Sequence, residues 1–283
     1  MKKIAAIISL LLPLTCCAKA TITPAEKSLN SLINSSSKNV DFRFLVSAQK
    51  LLKEWKTDKR PLLIDVRSSK DFTRYSIPGS INIPLYLIKT KARLRNKNIV
   101  LLNEGHSYHR LAKELIKLKK MKFSSARVLR GGLVAWSKMG GTINGNLFAM
   151  KQMNKVSPRE FFPDRDYEEI EIFQIHKRGN ELGKKVLPQA MGLPEMTSAQ
   201  GEKKLAQTLN ALISRKKNKL LYVVIATTDD ANQRLENALQ KAIDEPIFFL
   251  QGGTKAYEAY LKGQVNLWLH AGKKRREGCA TCQ

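Results

Sequence analysis

The chain has 283 residues, enough for two domains of ordinary size, each with its own core. Its four cysteines are Cys16, Cys17, Cys279 and Cys282, so nothing between Cys17 and Cys279 can form a thiolate nucleophile or a covalent persulfide. The formal charge is +26, yet few aromatics interleave the basic runs Lys117-Leu118-Lys119-Lys120 and Lys273-Lys274-Arg275-Arg276, which excludes them as base-stacking sites, and no nucleic acid is expected.

The N-terminus predicts export. Lys2 and Lys3 precede an apolar run from Ile4 to Leu14, and Ala18-Lys19-Ala20 places small residues at −3 and −1 of a cleavage after Ala20. Residues 1–20 therefore read as a signal peptide, too short to span a bilayer. Its removal takes three lysines and leaves +23, a field that on a periplasmic protein suits an anionic membrane, a cell-wall polymer or an acidic partner, or is a solvated lysine-rich surface. The alternative is a lipoprotein signal with Cys17 lipidated; Cys16 at −1 fits that cleavage poorly.

Asn30 to Asn39, rich in Ser and Asn, reads as a lead-in. Short apolar runs then predict strands at Leu62–Asp65, Ser80–Ile83, Ile99–Leu102 and Arg127–Leu129. Between the last two, Leu111, Leu115 and Leu118 mark one face of a helix. Residues 142–156 read as a linker, after which Ser157-Pro158-Arg159-Glu160 restarts structure as a capping box with Pro at the first helical position. The second half predicts strands at Glu171–Ile175, Leu220–Ile225 and Ile247–Leu250, with Leu235, Leu239 and Ala242 on a helix face. Strands alternating with helices make this α/β with mainly parallel sheets flanked by helices.

The halves also repeat in residues. Leu129-Arg130-Gly131-Gly132 with Ala135-Trp136 corresponds to Leu250-Gln251-Gly252-Gly253 with Ala256-Tyr257, and Ile77-Pro78 to Ile83-Pro84 corresponds to Leu187-Pro188 to Leu193-Pro194. Internal duplication accounts for both.

Leu63-Ile64-Asp65-Val66-Arg67, Asp71-Phe72, Ile77-Pro78-Gly79-Ser80-Ile81-Asn82-Ile83-Pro84 and Leu129-Arg130-Gly131-Gly132 with Ala135-Trp136 resemble a rhodanese domain. The likeness covers residues 41–141, and residues 157–269 resemble the family in a degenerate form, so the expected fold is two rhodanese-like domains. In that family a C-x-x-G-x-R loop after the central strand carries the sulfur-accepting cysteine at a helix N-terminus, where curled N–H groups and the helix dipole stabilise an anion. Here the loop reads Asn103-Glu104-Gly105-His106-Ser107-Tyr108-His109. Aligned by the strand, the cysteine position is Asn103; aligned by Gly105, it is Leu102. In the second half it is Ala226, followed by Asp229 and Asp230, whose charge should repel sulfur oxyanions.

The resemblance thus implies a pseudo-sulfurtransferase rather than an active thiosulfate sulfurtransferase. His106, Ser107 and His109 lack an accompanying carboxylate or oxyanion motif, so hydrolase chemistry is not expected, and His106 with His109 is too sparse a set for a metal. Neither metal nor cofactor is expected. Asp65 and Arg67 read as structural, an ion pair or a hydrogen-bonded end to the first strand, while residues 103–109 remain a candidate loop for a small anionic ligand or a partner's side chain. Residues 270–283 form a basic tail ending in Cys279-Ala280-Thr281-Cys282, which reads as an inert terminal disulfide, as a redox or sulfur-exchanging pair, or, with His270, as a metal site. Two functions follow: a periplasmic binding or interaction protein for a protein partner or small anion, or a sulfur carrier or thiol-redox protein working through Cys279 and Cys282.

Overall fold

The computed structural model describes residues 43–58, 60–176, 186–196, 198–216, 219, 221–239, 243 and 245–278, with the backbone alone at Tyr108 and from residue 268 onward. The leader, the Asn30 to Asn39 lead-in, Cys17, Ala242, Cys279 and Cys282 lie outside the described residues.

The first half sets β1 (Leu45–Val46), β2 (Leu62–Asp65), β4 (Ile81–Asn82), β5 (Ile99–Leu102) and β6 (Arg127–Leu129) in one sheet of order β1-β6-β5-β2-β4. The second uses β8 (Lys155–Val156), β9 (Ile170–His176), β10 (Met191–Pro194), β11 (Leu221–Ile225) and β12 (Ile247–Leu250), in the order β10-β9-β11-β12-β8. Numbered from its own first strand, each sheet runs first, fifth, fourth, second, third: β1-β6-β5-β2-β4 corresponds term by term to β8-β12-β11-β9-β10. All pairings within both sheets are parallel. The fold is α/β, and its two sheets repeat one topology.

Parallel pairing requires crossover connections, and these put helices on both faces of each sheet. That is why β5 and β12 are buried along their whole length. Successive residues face opposite ways: Leu63, Val100 and Leu102 join the core with Leu51 and Trp136, whereas Ile64, Ile99 and Leu101 join Leu111, Leu115 and Leu118. Those three leucines lie on α4 (Tyr108–Lys120), the fourth helix after α1 (Ala48–Trp55), α2 (Ser69–Arg74) and α3 (Leu85–Ile88). Trp136 is carried by α5 (Gly132–Lys138), stands edge-on to Trp55 at 6.0 Å and donates its indole N–H to the Thr142 carbonyl at 3.0 Å. Burying a leucine side chain stabilises by about 1.5–3 kcal/mol, so these alternating sets fix the register of each strand.

Residues 142–156 connect the halves with structure of their own. β7 (Asn144–Gly145) pairs antiparallel with β3 (Tyr75–Ser76), α6 (Leu147–Met150) follows, and β8 then enters the second sheet. Ser157 caps α7 (Pro158–Phe161), accepting from the Glu160 amide while the Glu160 carboxylate accepts from the Ser157 amide, the reciprocal box that its sequence predicts. The second half continues with α8 (Ala199–Arg215), α9 (Asp229–Leu239), which carries Leu235 and Leu239, and α10 (Gly253–Gly278). Among the described residues no helix is long and apolar enough to cross a membrane.

Candidate functional site

The end of β5 builds the site. Leu102 is the last residue of that strand, fully buried and paired with Asp65; the loop begins at Asn103. Gly131 and Gly132, both at positive φ, turn β6 into α5 against this loop. A Cβ on Gly132 would lie 2.3 Å from the Asn103 carbonyl oxygen, so only glycine fits there. The Asn103 and Glu104 carbonyls accept from the Leu133 and Val134 amides at 2.9 and 3.2 Å.

The second half repeats this detail. Gly253, again at positive φ, would bring a Cβ to 2.2 Å from the Ala226 carbonyl, which accepts from the Thr254 amide at 3.0 Å. Ala226 is therefore the structural counterpart of Asn103. Its loop closes on itself: Asn232 accepts from the Ala226 amide at 3.0 Å and donates to the Leu250 carbonyl at 2.8 Å, and Asp229 accepts from the Gly252 amide at 2.6 Å. Asp229 thus uses its charge on a backbone donor of the turn.

In the first half, the loop is packed against the second. Gly105 sits so close to Phe248 that a Cβ would come within 2.9 Å of that ring. His106 meets Phe248 edge-on at 5.8 Å, and burial pushes its imidazole toward the neutral form. His109 is fully buried, stacked on Tyr167 at 3.7 Å, with its Nδ1 3.9 Å from the Asp164 carboxylate. Asn103 and His106 are each 7% exposed, and Asn103 Oδ1 and His106 Nδ1 have no hydrogen-bond partner within the described chain. Ser107 stands at the N-cap of α4 but its hydroxyl makes no capping bond, contrary to the usual role of serine there. Of Tyr108 the structure gives the backbone, in the first turn of α4.

Glu104 alone of the loop's charged groups faces the other way. It lies 3.7 Å from Arg67, which pairs with Asp65 at 2.7 Å and donates to the Tyr75 carbonyl at 2.6 Å. Asn82 donates to the Asp65 and Arg67 carbonyls at 3.1 and 3.0 Å, closing the end of β2. Burial pushes the Glu104 carboxyl up to about 7 against the opposing pull of Arg67. The cluster thus holds a carboxyl that keeps its proton more readily than usual, and it contains no thiol. Among the described residues, no group of three or more His, Cys, Asp or Glu side chains could hold a metal ion.

Residues 48–139 match the rhodanese-like domain family. The loop and the Glu104–Arg67–Asp65 cluster both lie within the matched residues. Among solved structures, a thiosulfate sulfurtransferase from Pseudomonas aeruginosa is 16% identical over 76% of this chain, with a TM-score of 0.31; the chain spans 42% of that protein's length. A rhodanese-like domain from Anabaena sp. is 22% identical over 38% of this chain and 82% of its own, at a TM-score of 0.33. A rhodanese-like domain protein from Staphylococcus aureus is 18% identical over 32% and 89%, at 0.29. No curated protein matches the chain.

Asp65 and Arg67 form the ion pair at the strand end that the sequence suggests, and residues 103–109 lead from β5 into α4. The sequence does not reveal that Glu104 joins the pair or that Tyr167 and Asp164 receive His109. The only signal for the first is the acid following Asn103; nothing in the spacing signals the second, because the partners lie in the other half.

Proposed function

We propose that this chain is an exported interaction protein that uses a rhodanese-like scaffold without thiosulfate sulfur transfer of its own. One observation carries the reading: the loop that in the resembling family bears the sulfur-accepting cysteine here begins with Asn103 and is packed on Phe248 and Tyr167. A sulfur donor needs a thiolate and an open approach to it, and this loop provides neither. The leader-like residues 1–20 support export, and the formal charge of +26 supports an anionic partner, either an acidic protein or a small anion.

The test is thiosulfate:cyanide sulfurtransfer by the chain, with and without Cys279→Ser and Cys282→Ser. The expected result is no thiocyanate above the uncatalysed rate from either. Thiocyanate formation lost in the double variant would replace this reading with that of a sulfur carrier working through the tail. Formation that persists in the double variant would overturn both.

A further inference from the structure

A cavity of about 690 Å³ opens between α5, α6, α9 and β12. Val134, Met153, Leu239, Ile247 and Phe249 give it an apolar wall, and the acid in that wall, Glu236, is already held by Asn154 at 2.6 Å and by Lys155. Leu147 and Phe148 also line it, yet they are 71% and 81% exposed. The turn that presents them is fixed, since Asn146 accepts from the Ala149 amide at 3.0 Å and its own amide donates to the Arg74 carbonyl at 2.7 Å. An aromatic and an aliphatic side chain held in water beside an apolar cavity mark a surface that something apolar covers.

The chain itself carries such a segment. Residues 1–42 lie outside the described residues, and their sequence includes Thr23-Pro24-Ala25-Glu26-Lys27-Ser28-Leu29-Asn30-Ser31-Leu32-Ile33. Thr23, Pro24 and Glu26 repeat the pattern of Ser157, Pro158 and Glu160, the capping box that opens α7. Ala25, Leu29, Leu32 and Ile33 then fall at i, i+4, i+7 and i+8, one apolar stripe, with Glu26, Lys27, Ser28, Asn30 and Ser31 outside it. The pattern predicts a helix over residues 24–33. A helix that short is not stable alone in water and needs an apolar surface to pack on.

The cavity lies within its reach. β1 pairs parallel with β6, Leu45 opposite Val128, so the chain enters the first sheet at the end where β6 begins. Glu54, near the end of α1, binds Arg127, the first residue of β6, at 2.7 Å, and the adjacent Trp55 meets Trp136 of α5. The last turn of α5 is therefore at that same end, and its Ser137 lines the cavity. Residues 34–42, nine in number, span up to about 30 Å when extended, comparable with the width of a domain. A tether of this kind holds its segment at an effective concentration in the millimolar range, which favours it over a free partner.

We propose that residues 24–33 of this chain seat in the cavity as a helix, with Leu29, Leu32 and Ile33 packed on Met153, Leu239, Ile247 and Phe249 and flanked by Leu147 and Phe148. The cleft is then closed to free ligands until the segment leaves. The inference needs only residues 21–42, whether or not the leader is removed, and the sulfur-transfer test does not decide it.

Disulfide trapping tests it, in a chain whose four native cysteines are serine. Leu32→Cys with Phe148→Cys should form an intrachain disulfide roughly tenfold or more faster than Leu32→Cys with Met121→Cys, because a bridge needs Cα atoms within about 7 Å. Met121 closes α4, whose Lys119 stands over the Phe44 ring at 4.6 Å. The control position is thus beside the root of the tether, and a segment without a seat would reach it at least as readily. Leu29→Ser with Leu32→Ser and Ile33→Ser should raise the fluorescence of bound 8-anilinonaphthalene-1-sulfonate several-fold by uncovering the cleft, with the emission of Trp55 and Trp136 unchanged because the first core is kept. Equal trapping of the two pairs, or no gain in dye binding from the triple variant, would each overturn the proposal. So would an interchain disulfide as the product of the first pair, since the cleft would then be covered by a second copy.

Discussion

Glu104→Gln separates burial from ion pairing in the first-half cluster. Glutamine keeps the shape of the protonated acid and is neutral at every pH. In the folded chain the Glu104 carboxyl titrates at about 7, against an ordinary value of 4.5, because burial outweighs the attraction of Arg67. A raised folded value means that the folded chain keeps a proton that the unfolded chain has lost. The stabilisation is therefore full below the unfolded value, declines as pH rises between 4.5 and about 7, and is absent above that window. At ~1.36 kcal/mol per pH unit the full window corresponds to ~3 kcal/mol. The side chain is 24% exposed, and solvent screening reduces the expected effect to ~1–2 kcal/mol. Urea unfolding, followed by the fluorescence of Trp55 and Trp136 in the first core, reads this directly. The variant should match the parent near pH 4.5 and exceed it by ~1–2 kcal/mol near pH 8. A variant less stable than the parent near pH 8 would refute the reasoning, because Glu104 would then be an ionised partner of Arg67. An equal difference at both pH values would refute it as well.

Three further outcomes follow from the geometry. Glu236→Ala leaves the Lys155 ammonium, 9% exposed, without its acid; the expected cost is ~3–5 kcal/mol, and adding Lys155→Met should recover most of it in chemical unfolding. Gly132→Ala forces a Cβ to 2.3 Å from the Asn103 carbonyl at a φ of +52°, so it should cost ~1–3 kcal/mol or more, with Gly253→Ala behaving alike; a neutral result would mean that the turn can shift. Asn103→Cys, in a chain whose four native cysteines are serine, should react with iodoacetamide roughly tenfold or more slowly than an exposed thiol and reach the free rate in denaturant. Fast alkylation of the folded chain would contradict the packing of the loop.

The strands were legible where they are buried on both faces. Ile99–Leu102 and Ile247–Leu250 have no polar interruption, and their observed limits coincide with the apolar runs. β1 and β8, two residues each, carry too little pattern to be read, since their place is decided by pairing with β6 and β12. α8, over Ala199–Arg215, went unread because its polar residues outnumber its buried ones. At the site, the Asp65–Arg67 pair follows from spacing within one strand end. The ties from His109 to Tyr167 and from His106 to Phe248 do not, because they depend on how one half docks against the other.

That docking runs through the loop and the glycine turn behind it. Gly105 and Gly131, on the loop and on the turn behind it, meet Phe248 and Pro246, so the mouth of the first domain has become a joint. Asn103 itself is 7% exposed, so a reactive group placed at position 103 would reach an outside molecule only when the packing around it opens. Chemistry introduced there would consequently be limited by the rate of that opening and not by the intrinsic reactivity of the group.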